Sequence, residues 1–173
     1  MTSIAPSIIC ENPRFPHNLA MVVRLASCYG ISQVWFTGNR IQLDSNRKMR
    51  LPQKERMNVD IIHHNDPLDQ IDAIPVAVEF REHSEKLQDF VHPKNAVYIF
   101  GPEDGAISNK LLSRCHRFVI IPVRHCLNLS TSVATILWDR CVKLNEDAFD
   151  PKDILEINPE AMGLSGDNSW PKT

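Results

Sequence analysis

The sequence is short of the patterns that usually announce a function. It has only six glycines in 173 residues, and they form neither G-x-G-x-x-G nor G-x-x-x-x-G-K-[ST]. There is no H-E-x-x-H and no nucleophile elbow either, so the dinucleotide, phosphate-loop, zinc-protease and hydrolase readings fall away. The five cysteines (Cys10, Cys28, Cys115, Cys126, Cys141) are odd in number, widely spaced and without a C-x-x-C pair. That argues against a disulfide framework and a zinc site, and for reduced thiols in a cytoplasm. No apolar run approaches the roughly 18 residues of a membrane helix, and a signal-peptide pattern is missing, so a cytoplasmic protein without a membrane partner is expected. An excess of one charge is absent too: the formal net charge is −2, so any nucleic-acid site has to be a local patch. Internal repeats and low-complexity tracts are also lacking.

What is present suits one domain with a sizeable core, at 43% apolar and 23% charged residues. Short apolar runs at 7–10, 32–38, 59–64, 74–80, 96–101 and 117–123 read as strands. Between them, "NLAMVVRLASCYG" (18–30) reads as a helix stopped by Gly30, 108–115 as a short helix, and 130–146 as a long amphipathic one. The alternation predicts an α/β fold with a mostly parallel sheet and helices on both faces.

Two segments differ in character. Between residues 40 and 56, Arg40, Arg47, Lys48, Arg50, Lys54 and Arg56 face only two acids, Asp44 and Glu55. The segment is either a solvated loop or a patch that attracts phosphates. After Asn145 the chain turns acidic and carries Pro151, Pro159 and Pro171. Residues 147–173 therefore read as an acidic extension of a domain spanning 1–146.

In an open α/β sheet, ligands collect at the carboxyl ends of strands. Three polar stretches lie near such ends. "FGPEDGAIS" (100–108) contains Glu103 in a tight turn before a helix capped at Ser108, and a purely structural turn has the same letters. "IIPVRHCLNLSTSVA" (120–134) holds Asn128 between two leucines, with Ser130 or Thr131 placed to cap the last helix. Asn18 opens the first helix, where plain N-capping accounts for it. Six residues on, Arg24 is the only charged side chain between Asn18 and Asn39. A guanidinium among Leu19, Met21, Val22, Val23, Leu25 and Ala26 requires a partner or a use. His63 and His64 are adjacent but have no third ligand at helical spacing, so no metal is expected.

Taken together, N-x5-R after the first strand, then "FGPEDG", then "IPV…CLNLSTSVATILWDR" resembles the three motifs of the SPOUT class of RNA methyltransferases. Within that class it resembles the SpoU–TrmH family, over roughly residues 5–145. The resemblance implies a SPOUT fold with a deep trefoil knot near the C-terminus, S-adenosyl-L-methionine held in the knot, and a homodimer whose interface lies beside that pocket. It implies methylation of a ribose 2′-hydroxyl in RNA, of the tRNA or rRNA class. The small size is most like the minimal members, some of which modify a tRNA wobble nucleotide.

The family's polar positions fall on Asn18, Arg24, Glu103 and Asn128. Its largely backbone cofactor contacts fall on Val78, Gly101, Ile121, Cys126 and Leu127. Cys126 stands where a serine is usual, Ala20 and Ala106 where glycines are, and "RFPHN" replaces a glycine-rich lead. The four polar positions are intact. Arg24 is then expected to stabilise developing alkoxide charge or hold a phosphate, with Glu103 as its intramolecular partner, because a guanidinium stays protonated and is a poor base. Asn18 and Asn128 orient ribose or pocket loops. The basic loop, with Arg40, Arg47, Lys48 and Arg50, becomes an RNA grip. The competing reading is a knotted RNA-binding dimer that has lost efficient transfer.

Overall fold

The computed structural model describes residues 5–42 and 59–145. The basic positions Arg47, Lys48 and Arg50, and the acidic extension 147–173, lie outside the described residues.

The strands are β1 (Ser7–Cys10), β2 (Gln33–Phe36), β3 (Asp60–His63), β4 (Ile74–Val78), β5 (Glu85–Lys86), β6 (Ala96–Phe100) and β7 (Arg117–Ile120). The helices are α1 (Pro16–Cys28), α2 (Asn109–Leu112) and α3 (Leu129–Leu144). The strands form one sheet in the order β3-β2-β1-β6-β4-β7-β5, with every pairing parallel. The chain runs outward from β1 through β2 to β3, then crosses over to β4 and the edge strand β5, and returns to insert β6 between β1 and β4 and β7 between β4 and β5. The order reverses between β1 and β6, the kind of position where an open parallel sheet leaves a crevice.

Alternation along the strands sorts the core into two layers. Ile8, Cys10, Val34, Phe36, Val76, Tyr98 and Val119 point to the face covered by Leu19, Val22, Val23 and Ala26 of α1 and by Leu129, Val133, Ile136 and Leu137 of α3. Ile9, Trp35, Ala77, Val97 and Ile99 point the other way, against Leu68, Ile107, Leu111 and Cys115. The expected parallel sheet with helices on both faces is what the chain forms.

The element ends differ in instructive ways. Helix α1 begins at Pro16, with Phe15 at the N-cap making no side-chain cap bond, because proline is pre-organised for the first helical position. Asn18 is therefore inside the first turn and does not cap it. At the other end Gly30, at φ +68°, lets Ile31 N–H reach Ala26 carbonyl at 2.8 Å and closes the helix. Helix α3 is capped by Asn128, whose side chain accepts from Ser130 N–H, and not by Ser130 or Thr131. Asparagine caps as well as serine and better than threonine, and it comes first in the chain. Ser108 caps α2 as expected. The two-residue β5 was not foreseen, since so short a pairing has no periodicity of its own. All five cysteines are free, and no described helix is long and apolar enough to cross a membrane.

Candidate active site

A cavity of about 740 Å³ opens at the carboxyl ends of β4, β6 and β7. Val78, Gly101, Ile121, Cys126 and Leu127, the five backbone positions expected to contact a cofactor, all line it, as does Glu103. Phe100, Leu129 and Val123 add apolar wall, while Glu79, Arg124, His125 and Ser132 add polar groups. An apolar pocket of this size with a few convergent polar groups matches what small-molecule sites require.

The loop after β6 folds back over its own strand end. A Cβ at Gly101 would lie 3.1 Å from Ile107 N, so any larger residue there would push the loop outward. Two carboxylates hold that loop: Glu79 Oε2 accepts from Ile107 N–H at 3.0 Å and Glu11 Oε2 from Ser108 N–H at 2.7 Å. Neither acid was singled out from the sequence. Each immediately follows a strand, at 10/11 and 78/79, and that placement is the signal that could have found it.

At the lip of the cavity three of the four expected polar residues form a chain. Asn128 Nδ2 donates to Asn18 Oδ1 at 3.0 Å, and Asn18 Nδ2 donates to Glu103 Oε1 at 2.5 Å. The other Glu103 oxygen accepts from Arg14 N–H at 2.8 Å. Asn128 also accepts from Ser130 N–H and Oγ–H, which seats the start of α3. Asn18 is only 4% exposed, so each of its amide atoms is committed. Burial by itself raises the Glu103 pKa, but the Asn18 amide and the backbone N–H groups of Arg14, Glu103 and Phe15 together outweigh it and hold the carboxyl below the ordinary glutamate value. The lip is an ionised carboxylate held by neutral donors.

Arg24 is placed differently from expectation. It does not sit in an apolar layer. His17, Met21, Arg24 and Cys28 form the exposed stripe of α1, about 240° around the helix from Asn18 at 100° per residue. The polar residue on the buried face is Asn18, and the donors that hold Glu103 are Asn18 and the Arg14 backbone. Arg40 is exposed, and its Nη1 lies 2.6 Å from Asp104 Oδ1. Asp104 Oδ2 is 3.3 Å from Arg14 Nη1. His63 and His64 point to opposite faces of the sheet, stacking on Phe36 and meeting Trp35 edge-on, because neighbours on a strand alternate.

The chain matches the SpoU rRNA Methylase family over residues 5–138, and it belongs to that family. Among solved structures it is similar to the SpoU methyltransferase AviRb from Streptomyces viridochromogenes, at 16% identity and TM-score 0.69, over 83% of this chain and 62% of that one. AviRb has also been solved in complex with the cofactor AdoMet. The TrmH/SpoU tRNA modifying enzyme of A. aeolicus superposes at 17% identity and TM-score 0.67, over 88% of this chain and 85% of the other. A structure concerned with 2-OH methylation of C/U34 on tRNA gives 19% identity and TM-score 0.66, over 82% and 97%. The present chain thus spans about three fifths of AviRb and nearly all of the protein in the last comparison. No curated protein matches it.

Proposed function

We propose that this protein is an S-adenosyl-L-methionine-dependent methyltransferase acting on a ribose 2′-hydroxyl of RNA, of the tRNA or rRNA class. The observation that carries the proposal is the Asn128–Asn18–Glu103 chain at the lip of the strand-end cavity. Its family membership and its similarity in fold to the C/U34 structure support a tRNA substrate with a target such as the wobble nucleotide.

The cavity suits the cofactor. Val78, Ile121 and Leu127 offer apolar wall, Gly101 exposes backbone without a side chain, and Cys126 lies in the loop before α3. When bound, the cofactor would be held by the strand-end positions Val78, Gly101, Ile121, Cys126 and Leu127 and would supply an activated methyl group for the ribose oxygen, whose hydroxyl proton would pass to water. The protein has to align that oxygen and favour its loss of a proton. Glu103, kept ionised by Asn18 and the Arg14 N–H, orients the pocket edge. Asn128 ties the cofactor loop to α1 through Asn18. Arg24 supplies positive charge for the developing alkoxide or an adjacent phosphate.

Arg24 lies on an exposed face, so its role requires another molecule to cover that face. The proposal includes a homodimer through α1 and α3, which pack against each other. Met21, Trp138 and Val142 on these helices are 45%, 65% and 61% exposed, apolar surface that a partner copy would cover. It also includes the deep trefoil knot, which membership of the SpoU family supports.

The test is to incubate the protein with methyl-labelled cofactor and total RNA, then map which nucleotide becomes resistant to alkaline cleavage. Label in one RNA class, blocking cleavage at one site, is expected, and Arg24→Ala should abolish it. Cofactor binding without any transfer would leave the inactive RNA-binding dimer standing instead.

A further inference from the structure

Phe15 occupies the N-cap of α1 and makes no capping hydrogen bond. That position favours Ser, Thr, Asp or Asn, so a phenylalanine there contributes nothing to the helix end. The residue is 39% exposed. It stacks on the exposed imidazole of His17, with centroids 5.4 Å apart and planes 27° apart. The Arg14 guanidinium lies 5.0 Å from the Phe15 centroid. Arg14, following β1, and Arg40, following β2, both converge on Asp104 in the turn after β6. Arg14 N–H is also bonded to Glu103, so this exposed assembly begins one residue from the lip of the cavity.

Stacked ring faces beside paired guanidiniums are how proteins hold single-stranded nucleic acid: bases stack on the rings, and phosphates take the cations. A carboxylate between two guanidiniums occupies the place a phosphate oxygen would take. We propose that Arg14, Phe15, His17 and Arg40 form a platform that grips an unpaired nucleotide of the RNA next to the one being methylated, with Asp104 holding the two arginines until a phosphate replaces it. The inference rests on the RNA-methyltransferase reading and adds to it the residues that engage the strand outside the pocket. The phosphate displaces the Asp104 carboxylate, and no covalent step is involved.

Three variants of the 173-residue chain test it: Phe15→Leu, Phe15→Tyr and Asp104→Asn. Each is titrated with fluorescein-labelled tRNA and with a short oligouridylate over a range of salt, and separately with the cofactor alone. Phe15→Leu should bind both RNAs roughly tenfold more weakly, and Phe15→Tyr should restore wild-type binding. Asp104→Asn should bind about threefold more tightly at low salt, with a steeper salt dependence, because both guanidiniums are freed. Cofactor affinity should be unchanged in all three. Wild-type RNA affinity in Phe15→Leu, or weaker RNA binding in Asp104→Asn, overturns the platform while the methyltransferase reading stands. A wild-type protein that binds cofactor but no RNA overturns the platform as well. One that binds neither overturns both.

Discussion

Asn18 and Asn128, 110 residues apart in sequence, share a 3.0 Å hydrogen bond from Asn128 Nδ2 to Asn18 Oδ1. Because an amide has one acceptor end and one donor end, Asn18 then has only its Nδ2 left to face Glu103, and it uses it. Asn18→Ala leaves Asn128 and Glu103 each short of a partner, and should cost about 1–3 kcal/mol in chemical denaturation at neutral pH. Asn18→Asp should cost more, since it sets two carboxylates against each other. That extra loss should shrink as the solution is acidified and one of them takes a proton.

Glu103 sets a second expectation. Its pKa is lower in the fold than the ordinary glutamate value of 4.5. Its contribution to stability is therefore full above that value and is lost as pH falls through the folded pKa. In Glu103→Gln an amide NH₂ faces either Asn18 Nδ2 or the Arg14 N–H, so one donor meets another. The melting temperature of the variant should fall below wild type at neutral pH, and the two curves should converge in acid. A constant gap would mean that the carboxylate charge is irrelevant.

Beneath α3, His92 is 3% exposed, with Nε2 at 2.8 Å from Asp139 Oδ2 and Nδ1 at 2.6 Å from Tyr98 Oη. An ionised carboxylate only accepts, so Nε2–H donates to Asp139 and Nδ1 accepts the tyrosine proton. Burial is the largest influence on the His92 pKa, and together with Lys143 and Arg140 it outweighs Asp139 and lowers it. Neutral His92 therefore stabilises the fold above its ordinary value of 6.5, and that contribution is lost as pH falls through the lowered folded pKa. His92→Gln should be less stable at pH 8 yet show a flatter decline below neutrality, read by urea unfolding at several pH values.

The basic segment predicts a salt effect. Replacing Arg47, Lys48 and Arg50 together by alanine should weaken tRNA binding and reduce the slope of log K against log salt by up to about 3. Cofactor affinity, measured calorimetrically, should stay the same. An unchanged slope would return the segment to an ordinary solvated loop.

Trp138 and Val142 lie one helical turn apart on the exposed side of α3. Trp138→Glu with Val142→Glu should turn a dimer into a monomer in analytical ultracentrifugation, with little effect on secondary structure, since both residues are mostly exposed. A wild-type protein already monomeric at high concentration would refute the interface.

The strands and helices were legible because alternation and helical periodicity are local properties, written in a few consecutive letters. Cavity-lining positions such as Gly101 and Ile121 were reached through a resemblance in motif order. Other features had no such signal. Glu11 and Glu79 look like ordinary acids after strands, and Phe15 like a core residue displaced by a proline.

By itself, the sequence determined the parallel sheet, the two layers of core and the short list of polar residues near strand ends, since burial follows the spacing of apolar side chains. Only the tertiary structure decided which of those residues meet. Asn18 reaches Glu103 and Asn128, while Arg24 turns to the outside of the same helix, because 100° per residue separates side chains six apart. Hydrogen bonds spanning 85 and 110 residues exist only once the crossovers have brought β1, β6 and the start of α3 to one edge.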